Sequence, residues 1–274
     1  MVNPNKITKQ RFDLEVYKWE KYHKKELKSI ISYEILKRKE ITKNIISNNF
    51  SKKSINILEI GCGTGDNLFE IVKSNKLWKG KGVDISSGMI DFCKKKYFKE
   101  KKLEFQELNI DKCKLNQKFD VIFLLGVIGY LKSNEKSFLN IMHMLKPKGM
   151  LIFTFGNKSS IFRKFRQFYL KWPTFPILGS ILNKFRTLIT KRKPVVYKKE
   201  NHSFKPIKEK TLLKQLPKEL VSITEFNIVF SSGILGPLSI FSNKILEKIF
   251  LKRDPLKLAM TKLIILKKMS KQNE

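Results

Sequence analysis

The amino-acid sequence predicts an α/β fold, in which a doubly wound, mostly parallel sheet lies between two layers of helices. Short apolar runs alternate with helical patterns along most of the chain, which is typical of this three-layer sandwich. The run from Phe119 to Gly126 is almost continuously apolar, as expected for a strand buried on both faces. The predicted strands are residues 55–58, 81–85, 103–108, 119–126, 150–155, 222–230 and 258–267.

A glycine-rich turn follows the first predicted strand. Gly61, Gly63 and Gly65 alternate with other residues, and a helical pattern begins at Leu68. Glycine accepts positive φ and lets a ligand approach the backbone, and the start of the helix offers free N–H groups. The spacing differs from the dinucleotide fingerprint Gly-x-Gly-x-x-Gly, and Glu59 precedes it. A carboxylate at this position favours a ligand with a cationic end over a pyrophosphate.

Asp84 is the second candidate binding residue, because it ends the second predicted strand. It follows Gly65 by 19 residues, close to the ~20 expected for a carboxylate that accepts hydrogen bonds from ribose hydroxyls. An aspartate after a strand is often only a helix cap. Here Ser86 and Ser87 can cap the next helix, which leaves Asp84 available for a ribose.

Together, these residues resemble the class I methyltransferases that use S-adenosylmethionine, over residues 55–155. The resemblance implies a Rossmann-like sheet whose last strand is antiparallel. It also implies that the glycine turn holds the methionine end and the ribose, that Asn109 binds the adenine amino group, and that Ile110 lies on the ring. Asp111 is a second candidate for the adenine contact. The implied cofactor contacts are Glu59, Gly61, Cys62, Gly63, Gly65, Asp84, Ile85, Asn109, Ile110 and Leu125.

The sequence departs from this family at the end of the fourth strand. Many members that act on small molecules have Glu at the place of Gly126 and His at the place of Tyr130. Because both are absent, the acceptor of this chain is not readily inferred from the acceptors of those members. It also keeps open the alternative of a catalytically silent module that binds the cofactor.

The chain divides into four predicted regions. An N-terminal helical cap (residues 1–50) precedes the cofactor-binding core (51–156), a basic aromatic insertion (157–206) and the C-terminal part of the sheet (207–274). The insertion is interpreted as a substrate lid, with an interfacial segment on anionic lipid as the alternative. Residues 233–250 are expected to line the substrate side.

Histidine and aromatic side chains outside the glycine turn are further candidates for the site. His202 is the best general-base candidate, because members of the family often have a histidine near this point. His143, in the predicted helix 135–145, is interpreted as a surface or packing residue. Core packing is favoured for Tyr17, Trp19 and Tyr22, although N-terminal aromatic residues of the family can cover the cofactor.

The net charge of +33 comes mostly from lysine, spread over all 274 residues. A general compositional bias explains this better than a nucleic-acid surface, which would concentrate arginine and aromatic residues on one face. Attraction to a polyanion or to an anionic membrane stays open. The three cysteines show no metal-ligand spacing and suggest a reducing compartment. No secretory signal is visible, so the expected location is cytoplasmic, with the inner membrane face as an alternative.

The sequence therefore predicts an enzyme that moves a methyl group from S-adenosylmethionine to a small-molecule, glycan or lipid-linked acceptor, at oxygen. Orientation and exclusion of water are the main requirements of this reaction, so neither a metal cluster nor a catalytic triad is needed. A nucleic-acid methyltransferase, suggested by charge alone, and the silent module are the alternatives.

Overall fold

The computed structural model describes residues 4–23, 30–164, 204–230, 237–255 and 257–269. The strands in these ranges are β1 (Ile55–Ile60), β2 (Trp78–Asp84), β3 (Leu103–Glu107), β4 (Phe119–Leu124), β5 (Leu145–Gly156), β6 (Leu220–Val229) and β7 (Thr261–Lys268). The main helices in the same ranges are α1 (Pro4–Leu14), α2 (Val16–His23), α3 (Ile30–Phe50), α4 (Asp66–Lys73), α5 (Ser87–Lys96), α6 (Asn134–Met144), α7 (Glu209–Lys214) and α8 (Pro237–Phe250).

The seven strands form one sheet in the order β3-β2-β1-β4-β5-β7-β6. Strands β1 to β5 pair in parallel, whereas β7 runs antiparallel to both β5 and β6. This confirms the predicted mostly parallel sheet with an antiparallel last strand. The chain runs outward from β1 to β3 on one side and from β4 onward on the other. Ligands of such sheets bind outside the carboxyl ends of the strands at this switch point, here between β1 and β4.

Alternate residues of the central strands face opposite helical layers. Ile57 of β1 packs in one buried cluster with Ile46 of α3 and Leu68 of α4. The next residue, Leu58, packs in a second cluster with Phe138 of α6. Because neighbouring strand residues point to opposite faces, both sides of the sheet are covered, as the predicted three-layer sandwich requires.

Two predicted boundaries differ in the structure. The turn expected at residues 146–149 lies within β5, where the pairing with β4 shifts register and Lys148 has φ 62°. The helical pattern of residues 9–49 corresponds to α1, α2 and α3. Within the described ranges, no helix has both the length and the apolar composition needed to cross a bilayer.

The buried aromatic packing of β5 gives a stability prediction. Phe153 is fully buried between Phe138 and Phe155, with ring centroids 5.5 and 6.5 Å away. Phe153→Ala should lower the free energy of unfolding in urea by about 3–5 kcal/mol, because it leaves a cavity in the core. Phe98→Ala is the control, since Phe98 is 75% exposed, and its effect should stay within about 0.5 kcal/mol. Similar losses in the two variants would contradict this packing.

Candidate functional site

A cleft opens at the carboxyl ends of β1, β2 and β4, at the switch point of the sheet. Its floor is formed by residues at or just after the ends of these strands, among them Gly61, Gly63, Asp84 and Leu125. Residues of α1, α2 and α3 form the opposite wall. Because the floor comes from three adjacent parallel strands, residues distant in sequence meet in one small volume.

The glycine turn takes the backbone shape that its sequence predicts. Gly61 and Gly65 have φ values of 71° and 77°, which side chains rarely allow. A Cβ atom at Gly61 would lie 2.3 Å from Val127 Cγ2, and one at Gly65 would lie 2.8 Å from a Tyr97 ring carbon. Glycine at these two positions therefore allows both the turn and its close packing.

Asp84 fixes the turn to the neighbouring loop. Its Oδ2 accepts a hydrogen bond from the backbone N–H of Gly63, and its Oδ1 accepts one from the N–H of Ser86, both at 2.9 Å. Burial raises the pKa of Asp84, and these N–H groups oppose part of the shift. Each carboxylate oxygen accepts more than one hydrogen bond, so Asp84 can also accept hydrogen bonds from ligand hydroxyls.

Glu59 lies under the glycine turn and is not among the residues that line the cleft. Its Oε1 accepts a hydrogen bond from Asn67 Nδ2 at 3.1 Å, and its Oε2 accepts one from the Leu68 N–H at 3.2 Å. The side chain is almost fully buried, and this burial raises the pKa of Glu59 to about 8. Glu59 therefore holds the first turn of α4 against β1, and its contact with a cofactor stays a prediction.

Most of the other predicted contacts line the cleft. Cys62, Ile85, Asn109, Ile110 and Leu125 do so, whereas Gly65 does not. The Oδ1 atom of Asn109 accepts a hydrogen bond from the N–H of Asp111 at 3.0 Å, which orients the amide. Asp111 also lines the cleft, where its carboxylate accepts a hydrogen bond from Ser137 Oγ at 2.7 Å. His202 lies outside the described residues, and His143 is exposed on α6.

Arg38 of α3 also lines the cleft, although no sequence pattern identifies it. Arg38 is 8% exposed, and its Nε has no hydrogen-bond partner among the described residues. Gly126 makes room for it, because a Cβ there would lie 2.4 Å from Arg38 Nη1. Burial lowers the pKa of Arg38, but arginine stays protonated at neutral pH. Among the described residues no carboxylate lies in ion-pair contact with Arg38, although Glu34 and Glu59 are near enough to favour its charge, and a buried cation of this kind favours an anionic ligand group.

The helices α1 and α2 cover the cleft. Asp13 at the end of α1 accepts hydrogen bonds from Ser86 Oγ at 2.6 Å and from the Gly88 N–H at 3.0 Å. Trp19 lines the cleft, although core packing is favoured for it in the sequence analysis. Tyr17 is 73% exposed and packs edge-on against Phe92. The cover is therefore attached beside Asp84, at the start of α5.

One wall of the cleft is aromatic. The ring of Tyr130 packs against Phe12 at 5.4 Å and against Phe204 at 5.3 Å, and all three residues line the cavity. Burial raises the pKa of Tyr130, so its hydroxyl is neutral at physiological pH. This wall suits an apolar or planar ligand group with a polar edge. Within the described ranges, no group of three His, Cys, Asp or Glu side chains is arranged to hold a metal ion.

Residues 58–151 match the family model of a methyltransferase domain. A malonyl-[acyl-carrier protein] O-methyltransferase of Priestia megaterium is 35% identical over 115 residues, which are 42% of each chain. The ubiquinone/menaquinone biosynthesis C-methyltransferase UbiE of Campylobacter jejuni strain 81-176 is 31% identical over 157 residues, 54% of this chain and 64% of the relative. The chain thus matches less than two thirds of the length of either relative.

The fold is also similar to that of solved methyltransferase structures. The N-methyltransferase NodS of Bradyrhizobium japonicum, solved in complex with S-adenosyl-l-homocysteine, superposes with a TM-score of 0.55 at 13% identity, covering 96% of this chain and 99% of NodS. Residues 58–151 form a class I S-adenosylmethionine-dependent methyltransferase domain. The glycine turn, Asp84 and Leu125 of this methyltransferase domain all lie at the switch point of its sheet.

The buried carboxyl group of Glu59 should make the stability of the domain fall as the pH rises. Its pKa is about 8 in the folded chain against an ordinary value of 4.5, so between these values the folded state binds the extra proton. This stabilisation is complete below about pH 4.5 and is lost as the pH approaches about 8. The difference in unfolding free energy between the wild type and Glu59→Gln should decline through this window by a few kcal/mol at most. A difference independent of pH would contradict the burial of Glu59.

Proposed function

We propose that this chain is a methyltransferase that transfers a methyl group from S-adenosylmethionine to the oxygen of a small-molecule or lipid-linked acceptor. The main support is the hydrogen bond between Asp84 and the Gly63 N–H, which places a buried carboxylate beside a tight glycine turn in the cleft. This arrangement suits a nucleoside whose ribose hydroxyls donate to the carboxylate while its remaining part follows the turn.

The side chains of the cleft match the chemical groups of this cofactor. Asp84 would accept hydrogen bonds from the ribose hydroxyls, while Asn109 and Ile110 would hold the adenine ring. Arg38 would pair with the carboxylate of the methionine part, since it is a buried cation in the cleft wall. The amino group and the sulfonium would add positive charge near Glu59, whose raised pKa then falls.

When bound, the cofactor supplies a methyl group activated by the positive charge of its sulfur. The residues of this chain orient the two reactants and exclude water, and such positioning can supply several kcal/mol of barrier lowering. The cover formed by α1 and α2, attached through Asp13 to Ser86 and Gly88, closes the cleft above Asp84. For a hydroxyl acceptor a general base would help deprotonation, and His202 remains the candidate for this role.

The acceptor side is proposed from the aromatic wall. Phe12, Tyr130 and Phe204 present an apolar surface with one hydroxyl, which favours an acceptor that is apolar or planar beside the methylated atom. The two relatives methylate oxygen and carbon respectively. Residues 157–206 are proposed to contribute the remaining wall as a lid.

The ribose contact is tested by titrating the protein with S-adenosylhomocysteine in a calorimeter. Asp84→Asn should weaken binding about tenfold or more, because it removes a charged acceptor for the hydroxyls and one acceptor of the glycine turn. Asp91→Asn is the matched control, as Asp91 is exposed on α5, and it should bind like the wild type. Failure of the wild-type protein to bind would refute the assignment of the cofactor.

Arg38 gives a second prediction, which separates the two ends of the ligand. Arg38→Met should weaken S-adenosylhomocysteine about tenfold to a hundredfold, yet leave methylthioadenosine, which lacks the amino-acid end, unaffected. Asp84→Asn should weaken both ligands. Arg38→Met should also leave the stability of the ligand-free protein unchanged or higher, because it removes a buried charge whose Nε has no hydrogen-bond partner among the described residues. Lys43→Met, on the same helix outside the cleft, is the control.

The acceptor is found by incubating the protein with a labelled methyl donor and fractionated cell extracts. Label in an organic small-molecule or lipid fraction would support the proposed acceptor class. Transfer to RNA, together with binding that weakens steeply as salt increases, would support the nucleic-acid alternative. Cofactor binding without label in any fraction would support the silent module.

A further inference from the structure

The helix α8 buries two polar side chains beside the half-buried Leu246 and Phe250, and it leaves an apolar stripe in solvent. Its buried positions are Asn243 and Glu247, which are 0% and 9% exposed. Phe241, Ile245 and Ile249 are 64%, 44% and 63% exposed. These three residues are four apart, so they form one stripe along the helix. In amphipathic helices of soluble domains such an apolar stripe normally faces the core.

Specific contacts hold α8 in this orientation. Asn243 Oδ1 accepts a hydrogen bond from the Phe230 N–H at 2.6 Å. Glu247 accepts a hydrogen bond from the Tyr33 hydroxyl and pairs with Lys37 Nζ at 2.6 Å. Rotating α8 to bury its apolar stripe would break all of these contacts and leave the Phe230 N–H and the Tyr33 hydroxyl without their partners. The exposed stripe is therefore a fixed feature of the fold.

The apolar stripe is combined with positive charge. Lys244 and Lys248 are exposed beside Ile245 and Ile249, and the exposed Lys252 follows the end of the helix. The one acidic residue of α8, Glu247, points inward. We define the α8 face as Phe241, Lys244, Ile245, Lys248 and Ile249, a surface that is apolar and cationic with no acidic side chain.

We propose that the α8 face docks on the surface of an anionic lipid bilayer. Its apolar side chains would enter the boundary between headgroups and acyl chains, while its lysines lie on lipid phosphates. The net charge of +33 adds attraction of the same sign. A second copy of the chain is a poorer occupant, because a symmetric dimer would bring Lys244 and Lys248 of each copy against those of the other.

Docking through α8 would place the cleft beside the bilayer. Tyr33 and Lys37 of α3 contact Glu247 of α8, and Glu34 and Arg38 of the same helix line the cleft. The residues of α8 do not line the cleft among the described positions, which differs from the sequence expectation for 233–250. The docking depends on the α8 face alone, whereas its use for a lipid-linked acceptor rests on the proposed function.

The apolar contribution is tested by sedimenting the full chain with vesicles of phosphatidylcholine, with and without phosphatidylglycerol. The wild type should pellet with the anionic vesicles. The double variant Phe241→Ser/Ile249→Ser should bind them at least about tenfold more weakly, because two apolar anchors are lost. Phe98→Ser/Leu139→Ser is the matched control: Phe98 and Leu139 are 75% and 50% exposed on other surfaces, and it should pellet like the wild type.

The charge contribution is tested with a second matched pair. Lys244→Glu/Lys248→Glu should weaken binding about tenfold or more, whereas Lys99→Glu/Lys101→Glu should weaken it much less for the same change in net charge. Equal losses would mean general attraction without a docking face, and would overturn the proposal. A wild-type protein that does not bind anionic vesicles would also overturn it. In that case, a wild-type dimer in light scattering that dissociates in Phe241→Ser/Ile249→Ser would identify the α8 face as a dimer interface instead.

Binding of S-adenosylhomocysteine separates this proposal from the proposed function. The α8 variants should keep the wild-type affinity for it, because their changed residues are outside the cleft. Lipid binding lost with cofactor binding kept supports a separate docking face. Lipid binding by a protein that does not bind the cofactor would support the α8 proposal while refuting the proposed function.

Discussion

The cleft depends on a chain of hydrogen bonds centred on Asp84. Its carboxylate joins the glycine turn after β1 to Ser86 at the start of α5. Ser86 Oγ accepts from the Met89 N–H, which caps α5, and donates to Asp13, which holds the end of α1. One carboxylate thus couples the turn, the adjacent loop and the cover of the cleft. A substitution at Asp84 therefore alters the shape of the site as well as its hydrogen-bonding groups.

The sequence predicts those parts of the structure that local pattern determines. Alternating strands and helices fix the sheet, and the spacing from Gly65 to Asp84 identifies the end of β2, which the structure places in the cleft. Glu59 is different, because the alternation of β1 places it on the same face as Ile57, toward α3 and α4. Strand parity is enough to predict this position, whereas a contact of Glu59 with the cofactor is implied only by the resemblance and stays a prediction.

Arg38 could not be predicted in this way, because its role depends on a contact between distant parts of the chain. In the sequence Arg38 is one cation among many in a helical segment. Gly126 is noticeable only because it stands where many members of the family have Glu. In the structure the two residues complement each other, since the absence of a side chain at Gly126 gives the guanidinium its space. The cleft therefore has a cationic wall at a place where a family carboxylate would have made it anionic.

The orientation of α8 follows from the relative cost of burying different groups. Burying an exposed Phe or Ile stabilises a fold by about 1.5–3 kcal/mol, so three inward-facing side chains would outweigh most single polar contacts. Asn243 and Glu247 nevertheless occupy the buried positions, because Phe230, Tyr33 and Lys37 supply their partners. Rotation would also expose Leu246 and Phe250, which are half-buried on the inner side of α8, so it would gain little buried apolar surface while losing these polar contacts. The apolar surface of the stripe, which the fold does not bury, can then be buried by docking on a lipid surface. The lysines beside the stripe favour an anionic lipid surface.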